Sequence, residues 1–88
     1  MNTAMPKKTN EHTHYANAAR DFLKARRDEL GGNKALYREL YGAEPTDNEN
    51  QRLINLLNRG NLSAEFLGLC ADRLKLGDTT LKQLFRTR

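Results

Sequence analysis

The chain has 88 residues, 38% of them hydrophobic and 30% charged, with a formal net charge of +4 and a sequence pI near 9.5. That length supports one compact domain and excludes a large substrate-enclosing core. No apolar run approaches the roughly 18 residues of a membrane span, and the first residues, MNTAMPKKTNEHTH, lack the apolar segment of a secretion signal, so a cytoplasmic protein with no membrane partner is expected.

Residues 1 to 14 are polar, carry Pro6, Lys7 and Lys8, and show no apolar period. They are expected to form a disordered arm, with residues 15 to 88 as a single helical domain. Glu11, His12 and His14 bring metal-ligand chemistry into this arm, but two imidazoles on such a segment read as polar tail, and no metal or other cofactor is expected. The first helix begins near Tyr15, where Tyr15, Ala18, Ala19, Phe22 and Leu23 recur on a 3.6-residue period, and it ends at Gly31 and Gly32. Its outer face carries Arg20, Lys24, Arg27 and Asp28 as solvated positions. Asn33 is placed to cap a second helix, in which Leu36, Tyr37, Leu40 and Tyr41 form a short stripe before Gly42.

Pro45 cannot continue a preceding helix, and Thr46 with Glu49 has capping-box spacing, so the third helix starts at Asp47 and runs to Arg59, with Gly60 as its stop. Ser63 caps the fourth helix, and Leu62 before it is placed to staple onto Leu67. Phe66, Leu67, Cys70 and Leu74 supply its core stripe, Gly77 is expected to end it, and it is expected to buttress the third helix from behind. Gly68 costs about 1 kcal/mol against alanine inside a helix and is read as marking a close helix approach. The run TLKQLF gives Leu81, Leu84 and Phe85 to a fifth helix. Strand signals are absent. Cys70 is the sole cysteine, so no internal disulfide forms, and its apolar neighbours make it a core thiol.

The third helix has two faces that differ in kind. Successive residues turn by about 100°, which gathers Leu53, Ile54 and Leu57 on one side and Asn48, Gln51, Arg52, Asn55, Asn58 and Arg59 on the other. The outer face therefore carries amides and guanidinium groups and no carboxylate. Amides donate to and accept from an adenine edge, and Arg forks onto guanine. Asparagine is a poor helix former, so a row that Glu and Lys would fill at lower cost suggests a use. An enzyme is not expected: the chain holds no P-loop, no nucleophile elbow and no zinc cysteine pair.

The stretches KALYREL, LINLLNRG and LSAEFLGLCADRLKLGDTTLKQLF resemble the lambda-repressor-like (XRE-type) helix-turn-helix family over roughly residues 19 to 85. Within it the chain is most similar to a compact variant of bacterial and phage proteins of uncharacterised function. The resemblance implies an all-α, compact five-helix lambda-repressor-like helix-turn-helix domain acting as a small, sequence-specific, repressor-like regulator of transcription. Helix 47–59 would then read the major groove of double-stranded DNA. Asn48, Gln51, Arg52 and Asn55 would take the base-reading role, while Lys24, Arg27, Lys34, Arg38 and Arg59 would take the DNA backbone. A homodimer is expected, with Leu81, Leu84 and Phe85 either as its contact or as plain core closure.

Two departures from the family favour a second expectation. The connection YGAEPTDNEN is longer than the family's tight turn, and it carries Glu44, Asp47 and Glu49, which repel phosphate. A protein-binding adaptor or inhibitor from a phage or mobile element, reusing the same scaffold against a protein partner, accommodates both features.

Overall fold

Five α-helices and no strand make up residues 13 to 86, the part of the chain that the computed structural model describes. They are α1 (Thr13–Leu30), α2 (Asn33–Tyr41), α3 (Asp47–Arg59), α4 (Ala64–Arg73) and α5 (Leu81–Phe85). The expected arm lies outside the described residues except for Thr13 and His14, which already belong to α1. No described helix is long and apolar enough to cross a membrane.

The helix ends follow from local chemistry. Gly31, at φ 111°, and Gly32 both direct their N–H groups to the Arg27 carbonyl, at 3.1 and 3.0 Å, which closes α1 in the left-handed manner that glycine alone adopts without cost. Asn33 does not cap α2. Gly32 holds that position without a side-chain bond, and Asn33 is the first helical residue, its Oδ1 enclosed without a partner. Gly42, at φ 71°, ends α2 as expected.

The capping box of α3 is complete: Thr46 Oγ1 accepts from the Glu49 N–H at 3.1 Å, and Glu49 Oε1 accepts from the Thr46 N–H at 2.8 Å. Ser63 Oγ accepts from the Phe66 N–H at 3.0 Å and so starts α4. That helix ends at Arg73, short of Gly77. Lys75 turns left-handed at φ 57°, and the Leu76 N–H folds back to the Ala71 carbonyl at 3.0 Å, which carries Leu76 into the core. Thr80 and Gln83 form a second full capping box at the start of α5.

The core joins Leu23 of α1, Leu36 and Leu40 of α2, Leu53 and Leu57 of α3, and Cys70 with Leu74 and Leu76 around the end of α4. Leu62 and Leu67 pack against it from its edge. Burying a leucine of this kind stabilises by about 1.5–3 kcal/mol, so these few side chains supply most of the driving force. Helix α1 is the common neighbour, packing on α2, α3 and α5, and α2 in turn packs on α3 and α4. The buttress of α3 is thus α1 and α2; α4 sets its backbone against α2 instead. A β-carbon at Gly68 would meet nothing within 4 Å, so that glycine marks open space rather than a close helix approach.

Candidate nucleic-acid interface

Because Leu53 and Leu57 are buried, the opposite side of α3 faces outward, and Asn48, Gln51, Arg52, Asn55, Asn58 and Arg59 are all exposed along it. Gln51 Nε2 donates to Asn55 Oδ1 at 3.1 Å, one turn apart, which orients two amides side by side. Asn50 stands off this face, half-buried, with its Oδ1 enclosed.

Two of the acids around the start of α3 are engaged within the chain. Glu49 is held by its cap, and the Thr46 backbone N–H keeps its carboxyl below the usual carboxylate range despite partial burial, with the Tyr37 hydroxyl and Arg52 acting in the same direction. Glu44 receives Arg38 at 3.0 Å across the α2–α3 connection. Asp47 remains exposed at the first turn, where the helix dipole favours it.

The basic residues expected at a DNA backbone divide into two groups. Lys24 pairs with Asp21 at 3.7 Å, Arg27 with Asp28 at 3.0 Å, and Arg38 with Glu44. Lys34 and Arg59 are exposed and, among the described residues, form no ion pair. The residues expected at a dimer contact also divide. Leu84 is 9% exposed and closes the core of its own chain, Phe85 is half-buried with its ring edge-on to Tyr15 at 6.4 Å, and Leu81 stands out at 74% exposure. Of the three, Leu81 is the one that presents most of its surface outward.

Beside the polar face lies a groove that periodicity alone does not announce. Tyr37 and Tyr41, one turn apart on α2 with ring centroids 4.6 Å apart, meet Leu53 and Leu56 of α3 and Phe66 of α4 around a space of about 280 Å³, with Arg52 and Glu49 at its polar side. The signal for it is the rest of the α2 stripe: Leu36 and Leu40 are buried, Tyr37 packs on the core from its edge, and Tyr41 is left 49% exposed. Arg20 also escapes a periodicity reading. From the supposedly solvated side of α1 its guanidinium donates to the Gly60 carbonyl at the end of α3 and to Asn17 Oδ1.

Among the described residues no group of three or more His, Cys, Asp or Glu side chains is arranged to hold a metal ion. No protein-family model matches the chain, and neither a search of curated proteins nor one of solved structures found a match.

Proposed function

We propose that this chain is a small sequence-specific DNA-binding regulator of the lambda-repressor-like helix-turn-helix type, without enzymatic activity, acting in the cytoplasm of a bacterium or on behalf of a phage. Helices α2 and α3 serve as the helix-turn-helix pair and α3 enters the major groove. The observation that carries this reading is the exposed, carboxylate-free row of Asn48, Gln51, Arg52, Asn55, Asn58 and Arg59, presented by a helix whose other side is locked into the core. Gln51 and Asn55 suit an adenine edge, and Arg52 suits guanine. The internal engagement of Glu44 and Glu49 removes part of the repulsion that their presence implies.

Lys34 and Arg59 supply the phosphate contacts most readily, since Lys24, Arg27 and Arg38 exchange an internal carboxylate for a phosphate when they bind. One small module binds weakly, so two copies act on a two-fold site, their α3 helices about 34 Å apart, with Leu81 in the contact between them.

Mobility-shift titrations on the DNA upstream of the protein's own coding sequence provide the test. Binding is expected to weaken steeply with salt. Arg52→Ala or Gln51→Ala lowers specific affinity about 5- to 100-fold, in keeping with the loss of one base contact, whereas Lys34→Gln weakens binding to all sequences alike and reduces the salt slope by about one. Absence of any shift at low salt sinks the reading.

A further inference from the structure

The groove between α2, α3 and α4 is at the small end of ligand pockets and has the shape of an anchor point for a single side chain. Its about 280 Å³ is walled by Tyr37, Tyr41, Leu56 and Phe66. Tyr41 is 49% exposed, and the other three are half-buried. The opening is the size of one side chain, and aromatic and aliphatic walls on three sides suit the insertion of an apolar group.

The charge at its mouth is uneven. Glu49 has its carboxylate committed to the Thr46 N–H at 2.8 Å, inside the capping box. Arg52 is exposed and, among the described residues, enters no ion pair. Glu49 and Arg52 lie within electrostatic reach of each other. The Glu49 carboxylate is taken up by the Thr46 N–H, whereas the guanidinium of Arg52 has no carboxylate within ion-pair distance among the described residues, so the hydrogen-bonding capacity left open beside the aromatic walls is cationic. A guanidinium in that position selects a carboxylate, because its fork matches one and it sheds its hydration more readily than an ammonium.

We infer that this groove docks a segment of a partner protein that inserts one bulky apolar side chain between Tyr37, Tyr41 and Phe66 and sets a neighbouring Asp or Glu against Arg52. The groove lies beside the polar row of α3 and shares Arg52 with it, but its walls, Tyr37, Tyr41 and Phe66, take no part in that row. A chain that holds such a segment has Arg52 occupied and is not free to offer it to a base pair.

Two capped tripeptides probe the site in the absence of DNA: acetyl-Asp-Phe-Asp-amide and acetyl-Lys-Phe-Lys-amide, each titrated into the full chain while the ring proton resonances of Tyr37, Tyr41 and Phe66 are followed. The acidic peptide is expected to shift all three rings and to bind about fivefold more tightly than the lysine peptide, the upper end for a solvent-facing ion pair. Arg52→Gln erases that preference while leaving the ring shifts, and Tyr41→Ala, a change at a half-exposed position, removes the shifts with the melting temperature retained. The inference is overturned if the rings do not respond, if the two peptides bind equally to the unaltered chain, or if Tyr41→Ala binds as before. Since no nucleic acid is present, none of these results bears on whether α3 binds DNA.

Discussion

The guanidinium of Arg20 reaches forty positions along the chain to the carbonyl of Gly60. It places a positive charge at the C-terminal end of α3, where the helix dipole is negative, and it joins α3 to α1 at the point where the chain leaves the polar face. Arg20→Met keeps the aliphatic stem and removes the donor. A loss of about 1–2 kcal/mol is expected for a partly buried charged hydrogen bond, or a fall of about 4–8 °C in melting temperature for each kcal/mol in a domain of this size. An unchanged melting curve would show that the bond contributes nothing.

Two glycines are expected to respond to alanine with opposite signs. At Gly60 a β-carbon would lie 2.6 Å from Leu56 Cδ1 and 2.8 Å from Leu56 Cα, and the second of these is backbone that cannot step aside. Gly60→Ala should cost about 1–3 kcal/mol through overpacking. Gly68 lies inside α4 with open space around the same position, so Gly68→Ala should gain up to about 1 kcal/mol of helix propensity. Denaturant midpoints measured side by side decide it; a matching sign would refute the steric account.

Cys70 is 1% exposed, and burial pushes its thiol up to about 12 from an ordinary value of 9.0. A folded-state value above the unfolded one means that this group's contribution to stability is whole below about pH 9 and declines as the pH rises from there toward 12. Cys70→Ala should flatten that part of the alkaline stability profile while lowering stability at neutral pH. At pH 7.5 a thiol reagent should modify the native protein orders of magnitude more slowly than the unfolded chain. Rapid native labelling would contradict the burial.

Glu49 shows the reverse dependence. Its folded-state carboxyl is held below the ordinary 4.5 first of all by the Thr46 N–H, so its contribution is present above that value and is lost as the pH falls through the lower folded one. Glu49→Gln keeps an oxygen that can accept from Thr46 but does not titrate. The variant should therefore gain on the parent as the pH is lowered below about 4.5. Melting curves between pH 7 and pH 3 that run parallel for the two proteins would rule this out.

At α5, adjacent turns separate two roles. Leu84→Ala removes a buried side chain and should cost about 2–4 kcal/mol. Leu81→Ala, at a largely exposed position, should change stability by less than about 0.5 kcal/mol. If Leu81 joins two copies, the same change shifts sedimentation from dimer toward monomer; equal stability losses at the two positions would mean that α5 does not present Leu81 outward.

The five elements were legible because each apolar stripe keeps the helical period and because Thr46, Ser63 and the glycines at 31, 32, 42 and 60 carry their stop and start signals in their own chemistry. The Thr80 and Gln83 box has the same spacing as the Thr46 and Glu49 box and is as plain in the sequence. The end of α4 was not readable, since a lysine turning left-handed at position 75 leaves no mark in a sequence and Gly77 offers a more usual stop. Asn33 misleads for a related reason: a good capping side chain one residue late is indistinguishable in sequence from one in register, and Gly32 was already free to take the place. Of the candidate interface, the row on α3 follows from the alternation of leucine and amide, while the pairing of Lys24, Arg27 and Arg38 and the reach of Arg20 depend on side-chain positions that no period encodes.

Helix α1 holds Ala18 and Ala19 at 3% and 1% exposure, and it is the element against which α2, α3 and α5 all rest. Any larger side chain at either alanine must displace whatever packs on it, and if that is α3 the aim of Arg52 and Gln51 goes with it. A genetic screen for loss of the proposed DNA binding is therefore expected to return Ala18 and Ala19 beside the residues of the polar row, although neither lies on it. Sorting the same library by cellular abundance separates the two groups, because a misplaced spine exposes the leucines to proteolysis while a substitution on the exposed polar row leaves the protein at its normal level.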